Sequence, residues 1–421
     1  MTNKQGLYIH VPFCKSRCIY CGFFSTTQGS EAQDDFISAL SREAAARRQC
    51  LGSATMDSIY IGGGTPSALG ERNLGRLLGT VRNLFCTSPG AEVTVEVNPN
   101  DVTPSLVRTL RENGVNRVSM GIQSFNDSML RFLHRRHNAQ EALCAVDTVI
   151  SGGIDNISID LIYGLPGQTL EDWSGDLHKA FSLPVSHLSA YSLMFDEGTP
   201  LTKMRDKGLI EEADEEISLL MFKMLMHEAR ESGFLHYEIS NFALPGRQAR
   251  HNTGYWNGMH YLGLGPGAHS YDGDSRWHNI GDLRAYIKAF TGEADDCSEI
   301  TQTERLTLEQ KKEEMLLTAL RTAQGLSLED YAQQFGKDSF DGLMQRAAPF
   351  LNDGSLILSE NRRDSFVDNA SSADSASFAD TVNFVDSANA ASHDSKILNG
   401  FLSLSAKGVF VSDYIISSLF E

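Results

Sequence analysis

Through its first half the chain alternates short β-rich runs with stretches of helical period, and no other feature limits its fold as tightly. The runs cover residues 7–11, 58–61, 93–97, 117–122, 157–162 and 187–193. Between them lie amphipathic segments such as 34–48, 74–84, 104–112 and 170–181. Strand and helix in turn build βαβ units and a parallel sheet. Six such units favour a partial or complete (β/α) barrel over a doubly wound sheet, and the reading taken is an α/β fold with a partial (β/α) barrel. The residues with distinctive chemistry stand where the runs end, in VPFCKSRC, IGGGTPS, VEVNPN, GIQSF and IDLIYGLPG. Loops that follow barrel strands converge on one mouth and build its active site.

The second half reads differently. A long helix from about residue 211 to 232 leads to HYEISNFA, then to a polar stretch with HNTGYWNG and the glycine-rich YLGLGPGAHSY. Short helices follow at 304–321, 327–335 and 339–351, then hairpin arms at 355–359 and 401–405 and a last helix at 411–420. Three helices and a hairpin predict a smaller C-terminal winged-helix-like α+β domain. The expected division is a barrel core at 1–235, a connecting region at 236–302 and the C-terminal domain at 303–421. Residues 359–395 are dominated by Ser, Ala, Asp and Asn, with Phe366, Phe378 and Phe384 too sparse to offset ordering entropy. They read as a disordered insertion at the tip of the wing.

Charge and cysteine usage narrow the partners. With 54 acidic against 36 basic residues the net charge is −18, which disfavours a nucleic-acid partner, since tracking phosphates takes clustered Lys and Arg. A local patch of Arg131, Arg135 and Arg136 is suited at most to a small anion. The N-terminus lacks a signal-peptide pattern, and no apolar run approaches the roughly 20 residues of a membrane span, so membrane association is expected only through a partner. Of seven cysteines three crowd into one loop, while Cys50, Cys86, Cys144 and Cys297 are scattered. That suits a reducing cytoplasm with one metal site.

The crowded three are Cys14, Cys18 and Cys21. Three thiolates so close can ligate three corners of a cubane and leave one iron open. The competing readings are a zinc site or three unrelated thiols, but structural zinc takes four protein ligands and no fourth cysteine follows at knuckle spacing. His10, a strand residue before the loop, is expected to pack or hydrogen-bond. Gly62, Gly63 and Gly64, followed by Thr65 and Pro66, would let backbone groups approach a ligand without interference from Cβ. Glu96, Gln123, Arg135 and Asp160 each stand at or just after a strand end. Carboxylates and amides suit ribose hydroxyls, and an arginine suits a carboxylate.

The CxxxCxxC spacing, with Tyr20 just before the last cysteine, resembles the radical S-adenosylmethionine (SAM) superfamily, and the glycine motif matches its second hallmark. The resemblance implies a [4Fe–4S] cluster whose open iron binds SAM and whose electron cleaves it to a 5′-deoxyadenosyl radical. VEVNP, GIQSF and IDLIYGLPG resemble one branch, the oxygen-independent coproporphyrinogen III dehydrogenases and their relatives, over nearly the whole chain outside the insertion. Carried over by motif, Tyr8, Tyr20, Gly63, Gly64, Thr65, Glu96, Gln123, Arg135 and Asp160 are the implied SAM contacts.

Two departures set the chain apart from the dehydrogenase. Its motif continues to a further cysteine, where this chain has Phe23, and it has an N-terminal extension, where this chain reaches Tyr8 almost at once. Both features resemble the heme chaperone branch, as does the HNxxYW phrase His251-Asn252-Thr253-Gly254-Tyr255-Trp256. The branch implies heme as ligand, His251 as its axial ligand and an acceptor hemoprotein as partner. From the residues alone, the favoured reading is a capped loop whose aromatics pack and whose His251 hydrogen-bonds. The expected function is thus a heme chaperone on a radical SAM scaffold, with the dehydrogenase as the enzyme alternative. Radical SAM modification of RNA would call for a basic face or an RNA-binding module, and the sequence has neither. No residue marks a catalytic role of its own.

Overall fold

The computed structural model describes residues 4–52, 55–291, 299–366 and 398–420. They fall into two units. The first takes in Met1–Glu228, Ala249–Gly254 and Met259–Arg305, the second Ala229–Gln248, Tyr255–Gly258 and Leu306–Glu421.

In the first unit six parallel strands stand in chain order: β1 (Gln5–Val11), β2 (Met56–Gly63), β3 (Thr87–Val97), β4 (Arg117–Gln123), β5 (Asn156–Tyr163) and β6 (His187–Ser192). The connecting helices are α1 (Ser30–Arg47), α2 (Gly70–Leu84), α3 (Pro104–Glu112), α4 (Asp127–Phe132), α5 (Ala139–Ser151) and α6 (Leu170–Ser182). Each crossover steps one strand onward in the same direction, and right-handed crossovers that do so place their helices on one face.

Strand alternation sorts the side chains accordingly. Leu7, Ile9, Val11, Ile59, Ile61, Val95, Val118, Met120, Ile157, Ile159, Leu188 and Ala190 form a buried apolar set. The residues between them are polar or small. Registers align Tyr8, Tyr60, Thr94 and Arg117 in one row and Glu96, Ser119, Ser158 and His187 in the next. One face of the sheet thus packs on helices, and the other is lined with hydrogen-bonding groups.

The sheet stays open. The free edge of β1 pairs in parallel with the strand His260–Leu264, and an antiparallel extension follows through His269–Tyr271, Ser275–Asn279 and Thr301–Arg305. The barrel is thus partial, as expected, and the glycine-rich YLGLGPG is a strand followed by a tight turn. Gly263 is required there, because a Cβ would come within 2.0 Å of the His269 carbonyl oxygen on the neighbouring strand. The fully buried Glu43 of α1 fastens the extension. It accepts from Gly265 N at 2.8 Å, Asn279 Nδ2 at 2.7 Å and the Tyr286 hydroxyl at 2.6 Å, with Arg47 at 3.4 Å. A buried carboxylate is tolerable only when its lone pairs are satisfied in this way.

The second unit carries a hairpin (Leu235–Glu238 with Asn241–Ala243), the helices Leu308–Leu320, Leu328–Phe335 and Lys337–Asn352, and the C-terminal helix Ser412–Ser418. The expected hairpin arms pair antiparallel, Leu356 opposite Leu404 and Ser359 opposite Phe401, and Leu326–Ser327 completes a three-stranded sheet. This is the α+β organisation expected for the C-terminal part.

The insertion begins later than the composition indicated. Phe366 is 1% exposed, its amide donates to the His236 carbonyl at 3.0 Å, and its ring meets the His236 ring edge-on at 4.9 Å. Residues 367–397, with Phe378 and Phe384, lie outside the described residues. Emptying a buried phenylalanine site costs about 3 kcal/mol or more, through lost transfer energy and the cavity left behind. Phe366→Ala is therefore expected to lower the thermal midpoint of unfolding clearly. An unchanged midpoint would return Phe366 to the insertion.

Candidate functional site

The loop between β1 and α1 carries the three clustered cysteines, and backbone bonds close it on itself. Thr26 N donates to the Pro12 carbonyl at 2.6 Å and Cys14 N to the Thr26 carbonyl at 2.9 Å. His10 pins it from below, with Nδ1 3.0 Å from the Tyr8 hydroxyl and Nε2 3.0 Å from the Phe24 carbonyl. That is the packing and hydrogen-bonding part expected of it. All three thiols are partly exposed. Burial pushes Cys14 and Cys21 up from the usual thiol range, and repulsion from neighbouring cysteines adds to it.

The GGGTPS motif closes on this loop. Gly64 N donates to Val11 O and Thr65 N to Phe13 O, both at 2.8 Å, and Thr65 Oγ1 lies 3.5 Å from Cys14 Sγ. A Cβ on Gly64 would sit 2.9 Å from the Phe13 oxygen and 3.1 Å from the Cys14 sulfur, so only glycine permits this approach. Gly63 N donates to Glu96 Oε2 at 3.1 Å, and the Tyr60 hydroxyl donates to Glu96 Oε1 at 2.7 Å.

Asp101 ties three strand-end loops together. Its carboxylate accepts from Lys15 inside the cysteine loop at 2.8 Å, from Ser67 after the glycine motif at 3.0 Å and from Arg136 after β4 at 2.9 Å. Arg136 being held there, Arg135 turns to the cysteines: its guanidinium donates to Cys18 Sγ at 3.3 Å and to the Gly121 carbonyl. The three arginines therefore do not form one patch: Arg135 faces the cysteine loop, Arg136 is held by Asp101 and Arg131 is exposed.

Deeper on the polar face lie Glu96 and Asp160. Burial pushes Glu96 up to about 7 and Asp160 up to about 6, against hydrogen bonds and the Arg117 guanidinium, which favour the ionised forms. Gln123 stands at the end of β4 with φ +74°, a region costly for a residue with a side chain. The turn after it is held by the buried Asp176 of α6, which accepts from Ser124 Oγ and Phe125 N, each at 2.7 Å. Tyr20 packs against Leu133, Ile162 and Leu165.

Eleven of the sequence's site residues are thereby linked around the C-terminal ends of β1 to β5: Tyr8, Cys14, Cys18, Tyr20, Cys21, Gly63, Gly64, Thr65, Glu96, Arg135 and Asp160. Gln123 joins them at Gly121, where an added Cβ would meet both Gln123 Nε2 and the Arg135 guanidinium. His251 stands apart. It is 0% exposed at the opposite ends of the strands, with Nδ1 2.9 Å from Ser58 Oγ and its ring stacked on Tyr60 at 5.4 Å. Its amide donates to Glu92 Oε1 at 3.1 Å, and burial pushes its pKa down to about 3. Placed so, the imidazole is buried against residues of β2, and the HNTGYW phrase is a helix, Arg250–Trp256. Sequence reasoning missed Asp101, Asp176 and Arg117. Asp101 follows VEVNPN directly, but nothing in one sequence shows that Lys15, Ser67 and Arg136 meet on it.

Three thiols in one loop, a cradle that only glycine allows and an arginine aimed at one sulfur fit an iron–sulfur cluster. Among the described residues no three Cys, His, Asp or Glu side chains converge as around a single ion. Three thiolates that leave one iron open suit the cluster, whereas structural zinc takes four protein ligands.

Comparison with known proteins agrees with this geometry. Residues 8–180 match the Radical SAM superfamily and residues 306–362 the HemN C-terminal domain. The chain is 35% identical over 354 residues to the heme chaperone HemW of Bacillus subtilis, covering 84% of this chain and 92% of that one. It is 36% identical to the heme chaperone HemW of Mycobacterium tuberculosis, covering 77% and 83%. The solved coproporphyrinogen III oxidase (HemN) of Escherichia coli superposes with a TM-score of 0.78 over 99% of this chain and 90% of that one. At 22% identity that likeness concerns the fold. From the extent of these matches, the chain belongs to the heme chaperone HemW family of the radical SAM superfamily.

Proposed function

We propose that this protein binds heme and passes it to an acceptor hemoprotein, on a scaffold that holds a [4Fe–4S] cluster and SAM. The observation that carries the reading is likeness to proteins named heme chaperones over nine-tenths of their length. Phe23, 69% exposed, supports it from the site: it stands where the dehydrogenase motif has a further cysteine. In this reading Cys14, Cys18 and Cys21 hold the cluster, which when bound supplies an electron and an open iron. Tyr8, Tyr20, Gly63, Gly64, Thr65, Glu96, Gln123, Arg135 and Asp160 form the SAM site. Arg135 suits the SAM carboxylate, while Glu96, Gln123 and Asp160 suit its ribose and ammonium groups. We place the protein in the cytoplasm, in keeping with its free thiols. Among the described residues no helix is long and apolar enough to cross a membrane.

The test is heme binding itself. Purified protein titrated with hemin should develop a shifted Soret band whether or not the cluster is present, because no cysteine of the loop is required as heme ligand. Failure of both forms to bind heme would overturn the reading.

Iron–sulfur absorbance after anaerobic reconstitution should vanish in Cys14→Ser, Cys18→Ser and Cys21→Ser, and persist in the serine variants of Cys50, Cys86, Cys144 and Cys297. A cluster that survives Cys18→Ser and is lost with a scattered cysteine contradicts the assignment.

Glu96 and Asp160 also give a pH dependence. A carboxyl whose folded pKa lies above its unfolded value costs stability as pH rises from the unfolded value through the folded one. Without ligand, these two groups are expected to destabilise the fold between about pH 4 and about pH 7. The SAM ammonium and sulfonium favour the ionised forms, so calorimetric SAM affinity should increase from about pH 6 to about pH 8. Glu96→Gln should flatten that rise. Affinity that falls over the same interval would place the cofactor's positive groups elsewhere.

A further inference from the structure

The enclosed position of His251 leaves open which side chain would meet heme iron, and the antiparallel ribbon of the first unit presents two others. His269 on one strand lies directly opposite His278 on the next. Their rings stack with centroids 4.8 Å apart and planes inclined by 19°. His269 is exposed and His278 half-buried. Among the described residues neither imidazole has a hydrogen-bond partner for its ring nitrogens.

The pair stands beside the cysteine loop. The Phe24 ring lies against both turns of the ribbon, since a Cβ added at Gly267 or Gly281 would touch it. His10, which meets the Phe24 carbonyl, is near enough to His269 for the latter's charge to disfavour protonation of His10. Next to Phe24 is the exposed ring of Phe23. Arg276, on the same ribbon, has its guanidinium 5.6 Å from the centre of the Tyr271 ring and is also felt by His269.

These are the groups a metalloporphyrin needs at a surface that must later release it. A neutral, accessible imidazole ligates iron, a flat aromatic ring covers a porphyrin face and a guanidinium pairs with a propionate carboxylate. Burial, with His278 and Arg276 nearby, pushes His269 down from the ordinary histidine range, so its ring is neutral at physiological pH. In contrast, His251 is fully buried against Ser58, Tyr60 and Gly6.

We propose that His269, with His278 stacked on it, ligates heme iron, the porphyrin lying toward Phe23 and a propionate toward Arg276. The proposal rests on the heme-chaperone reading and adds the place: the cysteine-loop mouth, not the HNTGYW helix.

The experiment titrates hemin into full-length wild type, His269→Ala/His278→Ala and His251→Ala, reading the Soret band and the affinity, with thermal melts of each. The double variant should melt like wild type, lose the wild-type Soret position and bind hemin about tenfold or more weaker. His251→Ala should keep the wild-type heme spectrum and melt lower. A double variant with the wild-type spectrum and affinity overturns the proposal, as does loss of the spectrum in His251→Ala alone with an unchanged melt. Zinc titration supplies a further arm: if the double variant loses zinc and keeps heme, the pair is a bare-ion site and the proposal falls. Wild type that takes no heme would instead sink the chaperone reading from which the proposal starts.

Discussion

The Asp101 carboxylate joins segments far apart in sequence, Lys15 in the cysteine loop, Ser67 behind the glycine motif and Arg136 behind β4. A loop rich in cysteine and basic residues has no core of its own, and its shape must be imposed from outside. Because Asp101 is itself almost fully buried, its charge is worth more to its partners than it would be in water, and leaving it unpaired would be costly. The clamp also decides between two adjacent arginines. With Arg136 drawn to Asp101, Arg135 is the one that reaches Cys18.

Around this clamp the sheet divides the work by alternation. Its apolar side chains secure the helices, which frees the other face to carry Tyr60, Glu96, Arg117 and Asp160 at close quarters. Such a face is poor as a core: the raised carboxyl groups and the positive φ at Gln123 are both kept at a cost that packing elsewhere offsets. Asp176 does for the turn after β4 what Asp101 does for the cysteine loop, supplying from a helix the acceptors that an irregular backbone lacks.

Much of this was legible in the sequence, because periodicity is local. All six strands of the parallel series and the hairpin arms around the insertion appear where alternation placed them. What was hidden depends on contacts distant in sequence. Residues 260–264 have too much glycine to read as a strand, yet the glycine is there because His269 O approaches so closely. HNTGYW reads as a polar loop and is a helix whose histidine is covered by β1 and β2 residues. Phe366 looks stranded in a polar insertion until His236, far earlier in the chain, is seen beneath it.

The account holds that a radical SAM scaffold here serves to carry heme and not to decarboxylate a heme precursor. The direct measurement is an anaerobic incubation of the cluster-loaded protein with coproporphyrinogen III, SAM and a low-potential reductant, followed by chromatography of the tetrapyrroles. The account predicts that coproporphyrinogen is recovered unchanged by a preparation that binds heme. Conversion of its propionates to vinyl groups, giving protoporphyrinogen, would contradict it and make the protein a dehydrogenase.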